Sequence, residues 1–126
     1  MILGIGIDVS RIERVEQFIE RYGERFARRI LTEQEKADCF RVKNPGERVA
    51  GCIAAKEAAS KALGTGWRQG VHWKCFEVAH EMSGKPTLRI HGRAAELASA
   101  MGVKGAHLSI THDAGVAAAV VIFEGE

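Results

Sequence analysis

The feature that most limits what this chain can fold into is its shortage of large apolar side chains. Of its 126 residues, 58 are hydrophobic, but 18 of these are alanines and 3 are cysteines, which leaves 37 larger ones. A chain of this length forms one domain and buries roughly two thirds of its unfolded surface. We therefore expect a single domain over residues 1–126 with a thin core, which an interface between copies of the chain would help to stabilise.

Charge and composition exclude several classes of protein. The chain carries 18 basic and 16 acidic residues, a net charge of +2 that argues against a nucleic-acid-coating protein. No stretch approaches the ~20 apolar residues of a membrane-spanning helix, and the apolar start Met1–Ile7 lacks the basic region and cleavage site of a signal peptide. Cys39, Cys52 and Cys75 form no CxxC pair. We therefore expect neither a zinc site nor a disulfide framework, but buried, reduced thiols in a cytoplasmic protein with no nucleic-acid or membrane partner.

Hydrophobic periodicity predicts an α+β fold in which an antiparallel sheet packs with helices. Alternating side chains predict strands at residues 2–9, 76–81, 87–91, 107–112 and 116–123. Helical spacing predicts helices at residues 11–31, 32–41, 47–63 and 93–101. Ser10 with Glu13 has the spacing of a capping box that would begin the first helix, which Gly23 would bend. Thr32 with Glu35 has the same spacing before the second helix.

The first predicted helix carries an unusual number of arginines. Six of the chain's 11 arginines lie between residues 11 and 29. At about 100° per residue, four of them fall within roughly 60° of one another: Arg14, Arg21, Arg25 and Arg28. They form either a solvated face with ion pairs inside the helix or a docking surface for an acidic partner, since a guanidinium group matches carboxylates and phosphates. Sparse aromatic residues and the near-neutral charge disfavour nucleic acid.

Two carboxylates and a lysine form a second candidate cluster. Glu57 and Lys61 share a face of the third predicted helix at i, i+4 spacing, where a surface salt bridge is the simplest interpretation. Asp8 ends the first strand after two glycines that leave room for a ligand. Asp8 and Glu57 together with substrate phosphates would suit Mg²⁺, which prefers oxygen ligands and keeps several waters. Lys61 would then neutralise a phosphate, and the turn at residues 64–66 would approach it with backbone N–H groups.

A third candidate is the dipeptide His112-Asp113 at the end of a predicted strand. Strand alternation puts His112 on the side of Leu108 and Ile110, so that it points toward a cleft. It is either a structural histidine or an imidazole near a reacting phosphate, oriented by Asp113. A metal-dependent phosphohydrolase of the HD type is disfavoured, because its His-Asp pair belongs on a helix and needs further ligands.

Six short segments of the chain, taken in order and with their spacing, resemble the small 4′-phosphopantetheinyl transferase family, the holo-[acyl-carrier-protein] synthases. These segments are Gly4–Asp8, Phe26–Thr32, Ala54–Ala58, Lys61–Gly66, Ser83–Pro86 and Ser109–His112. The resemblance covers essentially the whole chain. This chain departs from the family at Cys52 and Ile53, where an arginine and an aromatic residue are usual.

The resemblance implies a reaction and an assembly. By this resemblance, a serine hydroxyl of an apo acyl carrier protein attacks the β-phosphate of coenzyme A, which transfers the 4′-phosphopantetheine arm and releases adenosine 3′,5′-bisphosphate. The implied reaction depends on Mg²⁺ and supplies holo carrier for fatty acid synthesis or also for polyketide synthesis. The implied architecture is an α+β fold assembled as a homotrimer, with active sites at the subunit interfaces.

The resemblance also implies roles for individual residues. Asp8 and Glu57 would hold the metal. The implied catalytic residues are Asp8, Glu57, Lys61, His112 and Asp113. The implied coenzyme A contacts are Lys61, Gly64, Thr65, Gly66, Gly84, Lys85, Pro86 and His112. The implied carrier-binding residues are Arg14, Arg21, Arg25 and Phe26.

Two questions stay open at this point. The serine proton needs an acceptor, which is either a metal-polarised water held by Asp8 or Glu57, or His112 with Asp113 behind it. Two other functions also fit single features of the chain. One is a non-catalytic adaptor that docks acidic partners through the arginines, and the other is a phosphohydrolase that releases phosphopantetheine to water.

Overall fold

Five strands and five α-helices make up the computed structural model, which describes all 126 residues. The strands are β1 (Ile2–Arg11), β2 (Phe76–His80), β3 (Pro86–Ile90), β4 (Gly105–Asp113) and β5 (Val116–Glu124). The helices are α1 (Ile12–Tyr22), α2 (Glu24–Ile30), α3 (Glu33–Cys39), α4 (Gly46–Leu63) and α5 (Gly92–Met101), and a 3₁₀ turn at Trp73–Cys75 precedes β2. All paired strands are antiparallel, so the predicted α+β class with antiparallel pairing is confirmed.

One apolar core of small side chains joins helix α4 to the main sheet. Strands β1, β5 and β4 form a three-stranded sheet in that order, and β2 and β3 form a separate hairpin. Because alanine is short, the backbones of α4 and the sheet approach each other closely. The alanines of α4 in this core are Ala50, Ala54, Ala55, Ala58, Ala59 and Ala62. None of the five helices combines the length and the apolar character that crossing a membrane requires.

Gly4 and Gly6 of β1 make this close approach possible. A Cβ atom at Gly4 would lie 2.1 Å from the carbonyl oxygen of Ala62. A Cβ atom at Gly6 would lie 1.8 Å from the carbonyl oxygen of Ala58. Both distances are far below any ordinary contact, so only glycine fits. The expectation that these glycines leave room for a ligand is therefore wrong, because the backbone of α4 occupies that space.

Replacing Gly6 by alanine is expected to destabilise the fold. The added methyl group would force α4 away from β1, and overpacking of this kind costs about 1–3 kcal/mol. Urea denaturation followed by circular dichroism would show the loss as a lower midpoint. Gly105→Ala is the matched control, because the atom nearest to the added Cβ would be Nε2 of His107 at 3.7 Å. Equal midpoints for the two variants would contradict the packing of β1 on α4.

The two predicted capping boxes have different outcomes. At α3, the N–H of Glu35 donates to Oγ1 of Thr32 at 3.2 Å, and the N–H of Thr32 donates to Oε1 of Glu35 at 2.9 Å, which confirms the prediction. At α1 the prediction is wrong, because Ser10 is paired within the sheet and Arg11 precedes the helix without a side-chain cap. Gly23, with φ of 52°, separates α1 from α2, so the predicted bend is a complete break.

One face of the three-stranded sheet is left uncovered. Ile5, Ile7 and Val9 point away from α4 and are 59%, 64% and 57% exposed. Their partners on β5 are half-buried: Ile122, Val120 and Ala118. A contiguous apolar surface of this kind typically marks an interaction site.

Candidate active site

The predicted residues Asp8 and Lys61 are in direct contact. Asp8 lies inside β1 rather than at its end, and it shares with the two glycines the face of the strand that packs on α4. The ammonium group of Lys61 donates to Oδ1 of Asp8 and to the carbonyl oxygen of Ile7, both at 3.0 Å. The Asp8 side chain is 20% exposed and that of Lys61 is 52% exposed. A ligand that arrives from solvent would therefore meet both groups.

Glu57 lies one helical turn before Lys61 and is half-buried, with no hydrogen bond or ion pair through its carboxylate. The expected Glu57–Lys61 salt bridge is absent, because Lys61 reaches across to Asp8 instead. We call Asp8, Glu57 and Lys61 the carboxylate cluster.

The donor set of the carboxylate cluster fits a hard divalent cation. Mg²⁺ is usually held by one or two carboxylates and completes its octahedral shell with waters and substrate phosphates. Asp8 and Glu57 supply two such groups, and Glu57 has no cation of its own. No group of three or more His, Cys, Asp or Glu side chains is positioned to hold a metal ion. An ion at this cluster would therefore depend on oxygen ligands from water or substrate.

The turn at residues 64–66 ends α4 and does not offer N–H groups to a ligand. The N–H groups of Gly64, Thr65 and Gly66 all donate to the carbonyl oxygen of Ser60, at 3.1 to 3.2 Å. Gly64, with φ of 85°, has the left-handed conformation that ends many helices. The expectation that these N–H groups bind a phosphate is therefore wrong, because they are already paired and a helix C-terminus carries partial negative charge. The space beside Gly64 and Gly66 is nevertheless open, with no atom within 4 Å of an added Cβ.

His112 lies next to a carboxylate, but not the expected one. Its Nε2 is 3.2 Å from Oε1 of Glu47, at the start of α4. Oδ1 of Asp113 instead accepts a hydrogen bond from the N–H of Ala114, in the turn to β5. Successive residues of a strand point to opposite faces, so Asp113 cannot stand behind His112. The prediction that Asp113 orients His112 is wrong, and Glu47, which has that position, was missed because no local sequence signal links it to His112.

His112 lies in a cleft of about 810 Å³ between α3, the first half of α4, β4 and the β2–β3 hairpin, which we call the histidine cleft. Gly84 and Pro86 of the hairpin also line it, and Lys85 is exposed beside them. Three arginines line the cleft, Arg41, Arg48 and Arg89, and four carboxylates line it as well: Glu35, Asp38, Glu47 and Glu81. An anionic ligand would therefore depend on direct contact with the guanidinium groups rather than on the net charge of the cleft.

The predicted site residues therefore form two groups rather than one. No residue of the carboxylate cluster lines the histidine cleft. Glu47 and Glu57, which belong to the two groups, are separated by about 15 Å along α4 at 1.5 Å per residue. A single chain thus presents two separate groups of candidate residues, one near each end of α4.

A third group is the arginine surface, defined as the exposed arginines of residues 11–29: Arg11, Arg14, Arg21, Arg25, Arg28 and Arg29. None of the six forms an ion pair, so the interpretation that these arginines form ion pairs inside the helix is wrong. The guanidinium groups of Arg14 and Arg21 lie 5.6 and 5.8 Å from the rings of Phe18 and Tyr22. These distances permit cation–π attraction.

An apolar groove adjoins the arginine surface. It has a volume of about 670 Å³ and is lined by residues of α1, α2 and the 3₁₀ turn. Two of the predicted carrier-binding residues, Arg25 and Phe26, line it together with Phe18, Tyr22 and Trp73. The groove combines exposed positive charge with aromatic side chains, which suits a protein partner with acidic and apolar residues.

Comparisons with known proteins agree with one another. A family model described as the 4′-phosphopantetheinyl transferase superfamily matches residues 4–121. A holo-[acyl-carrier-protein] synthase of Solibacter usitatus is 52% identical over 124 residues, which are 98% of this chain and 99% of the relative. The crystal structure of the synthase from Neisseria meningitidis has a TM-score of 0.88 and 33% identity, and the match covers 98% of this chain and 99% of that one. The Helicobacter pylori synthase in complex with coenzyme A has a TM-score of 0.84 and 31% identity, over 95% and 99% of the two chains.

Proposed function

Because this chain belongs to the 4′-phosphopantetheinyl transferase superfamily and, within it, to the holo-[acyl-carrier-protein] synthases, we propose that it converts an apo acyl carrier protein to the holo form. The 4′-phosphopantetheine arm of coenzyme A would pass to a serine hydroxyl of the carrier, with release of adenosine 3′,5′-bisphosphate. The observation that carries this proposal is the carboxylate cluster, in which Lys61 bonds Asp8 one turn from an unpaired Glu57. The coenzyme A bound by the Helicobacter pylori relative supports the choice of donor.

The proposed roles within the carboxylate cluster follow from the charge of the diphosphate. Phosphoryl transfer depends mainly on positioning and on neutralising the charge of the phosphate oxygens. Asp8 and Glu57 would hold Mg²⁺, which when bound supplies that neutralisation. Lys61 uses two of its three donors on Ile7 and Asp8, so the third is free for a phosphate oxygen. The open space beside Gly64 and Gly66 would let the coenzyme lie against the end of α4.

The serine proton has two proposed acceptors, a water held at Asp8 and Glu57 or the imidazole of His112. Glu47, whose Oε1 lies 3.2 Å from Nε2 of His112, would orient the imidazole for general base catalysis in place of Asp113. His112 also shares the histidine cleft with Arg41, Arg48 and Arg89, and together with them it would contact a phosphate of coenzyme A.

We propose a homotrimer in which the two partial sites meet at the interfaces between copies. The carboxylate cluster of one copy and the histidine cleft of the next would form one complete site. The exposed residues Ile5, Ile7 and Val9 support this arrangement, because they lie on β1, the strand that also holds Asp8. Analytical ultracentrifugation tests the assembly, and a monomer at micromolar concentration would contradict it.

The arginine surface is the proposed docking site for the carrier protein. Its six arginines are exposed and form no ion pair within the chain, so their guanidinium groups are free to contact an acidic partner. The apolar groove lined by Arg25 and Phe26 would take an apolar side chain of the carrier. Charged surfaces of this kind mainly accelerate association and set specificity.

Arg25→Glu is expected to raise the KM for the carrier at least about tenfold while kcat changes little, because reversed surface charge mainly slows association. Steady-state kinetics at varied carrier and fixed coenzyme A would measure the two constants. Lys104→Glu is the matched control, since it makes the same change of charge at an exposed residue outside the arginine surface. A KM that rises equally in both variants would remove Arg25 from the docking site.

The proposal is tested by mixing the chain with coenzyme A, Mg²⁺ and an apo acyl carrier protein and weighing the carrier by mass spectrometry. The expected result is a carrier heavier by one phosphopantetheine group, with a fatty acid carrier and a polyketide carrier domain compared in parallel. A carrier of unchanged mass, under conditions in which a related synthase modifies it, would refute the function. We also propose that the protein acts in the cytoplasm and that residues 1–126 form one transferase domain.

A further inference from the structure

Two of the three cysteines are in contact inside the molecule. Cys39 ends α3 and Cys52 lies in α4, and their Sγ atoms are 3.7 Å apart and share a hydrogen bond. Both thiols are free, and Cys75 is buried elsewhere without such a contact. A disulfide bond needs the two sulfurs to approach by about 1.7 Å, to roughly 2.05 Å. Cys39 stands at the end of a short helix, where a shift of this size requires less rearrangement than in the middle of α4.

The pair is accessible through the histidine cleft. Cys39 and Cys52 are only 3% and 5% exposed, but both line that cleft of about 810 Å³. A small oxidant that enters the cleft would therefore come into contact with these two residues, and a small local opening would expose their sulfurs. A large reagent is excluded by the same burial.

The two thiols differ in acidity. The hydrogen bond between the two thiols, in which either sulfur can be the donor, lowers the pKa of Cys39 and, together with burial, raises the pKa of Cys52. The charged groups that face the pair are Glu35, Asp38, Arg48 and Lys56. Cys39 stands at the end of the short helix α3, whereas Cys52 is held inside α4. Because the thiolate is the reactive form and Cys39 has more room to move, Cys39 is the group that attacks an oxidant and Cys52 is the group that resolves the product.

We propose that Cys39 and Cys52 form a reversible oxidation site. Hydrogen peroxide oxidises the two thiols to a disulfide, and small thiols reduce the disulfide again. The Cys39 thiolate attacks one peroxide oxygen, the O–O bond breaks, and the hydroxide that leaves takes up the proton lost by Cys39 and becomes water. The Cys52 sulfur then attacks the Cys39 sulfenic acid, so that the S–S bond forms, the S–O bond breaks, and a second water leaves with the Cys52 proton. Two thiols lose two electrons in total, and one peroxide is reduced to two waters. The site does not depend on the proposed transferase activity.

Peptide mapping of the intact chain tests the proposal. The folded chain is treated with hydrogen peroxide, remaining thiols are alkylated in denaturant, and tryptic peptides are weighed without reduction. The expected product joins the peptides Ala37–Arg41 and Val49–Lys56 with the loss of two hydrogen atoms, and dithiothreitol separates them. Cys75 is expected to remain a free, alkylated thiol and serves as the internal control.

Serine variants identify the role of each sulfur. Cys52→Ser removes the resolving thiol and is expected to accumulate a sulfenic acid at Cys39, which dimedone added together with the denaturant traps. Cys75→Ser is expected to give the same linked peptide as the parent chain. Circular dichroism checks that each variant is folded. If one variant does not fold, the peptide map of the parent chain still tests whether the disulfide forms. The proposal would be overturned if all three thiols remained unmodified or if a sulfinic acid at Cys39 were the main product. A disulfide bond to Cys75 or to another chain would also overturn it.

Discussion

A Glu57→Gln variant is expected to keep the fold and to lose about 10²–10³-fold in kcat/KM for phosphopantetheine transfer, the usual range for removing one electrostatic group from an active site. The Glu57 side chain makes no hydrogen bond or ion pair, so the amide removes no contact from the folded chain. It does remove one of the two carboxylates proposed to hold Mg²⁺. Because Asp8 remains, a higher Mg²⁺ concentration is expected to restore part of the rate. The mass of the carrier, followed over time at several Mg²⁺ concentrations, measures both effects.

Glu96→Gln is the matched control for this variant. Glu96 is exposed on α5 and pairs only with Arg93, so its loss is expected to leave the rate and the metal dependence unchanged. Calorimetric titration of Mg²⁺ into the chain with coenzyme A present gives a readout that is independent of turnover. Full activity of Glu57→Gln with unaltered Mg²⁺ dependence would remove Glu57 from the site. Intact function of Glu57→Gln together with loss of function in Arg14→Glu would instead favour the adaptor alternative.

The elements of this fold were predictable where their signals are local. The capping box of Thr32 and Glu35 begins α3 as expected, and Gly64 ends α4 as expected, because each depends on residues within a few positions of one another. The β2–β3 hairpin likewise follows from two alternating segments around one turn. The pairing of Asp8 with Glu57 followed from the preference of Mg²⁺ for oxygen ligands, and the resemblance to a known family added the coenzyme and the carrier protein.

The parts of the site that the sequence did not predict depend on contacts between distant residues. Nothing near His112 points to Glu47, since the two meet only when β4 packs on α4. The sequence around Asp8 does not show that its two preceding glycines pack against α4 rather than beside a ligand. The α4 residues that they contact lie more than fifty positions away in the chain. The expectation that the turn after α4 binds a phosphate rests on its glycines. Composition does not show whether the N–H groups of such a turn are free or, as here, bonded to the carbonyl oxygen of Ser60.

Lys56 is adjacent to the polar residue Glu57 but has a different environment. Adjacent helical residues point about 100° apart, so Lys56 is buried while Glu57 is half-buried. The flanking alanines indicate the outcome, since Ala55 and Ala59 are fully buried and Lys56 is buried among them. An ammonium group in such a position requires a buried partner.

Lys56 and Glu35 form a buried ion pair that joins five segments of the fold. The Lys56 ammonium donates to Oε1 of Glu35 at 2.6 Å and to the carbonyl oxygens of Ile30 and Trp73 at 2.8 and 3.2 Å. Oε2 of Glu35 accepts from the N–H of Val78 at 2.7 Å. All three donors of the lysine and both oxygens of the carboxylate are therefore used. The network joins α2, α3, α4, the 3₁₀ turn and β2.

Lys56→Met is expected to lower the free energy of unfolding by about 3–5 kcal/mol, because it leaves the Glu35 carboxylate buried without its partner. Methionine fills a similar volume, so the loss comes from the unpaired charge and the two unsatisfied carbonyl groups rather than from a cavity. Urea denaturation measures the change as a lower midpoint at constant slope. Lys36→Met is the control at the surface, where the partner Glu24 is exposed and water replaces the lost contact, so its effect is expected to be much smaller.

The double variant Lys56→Met/Glu35→Gln separates the contribution of the charge pair from that of the other hydrogen bonds. Each single variant leaves one buried charge alone, whereas the double variant leaves none, so its loss of stability is expected to be smaller than the two single losses added together. Coupling between residues in direct contact is typically about 0.5–3 kcal/mol. The stability is not expected to return to that of the parent, because the carbonyl groups of Ile30 and Trp73 still lack their donor. Strictly additive losses would contradict the conclusion that these two charges stabilise each other in the core.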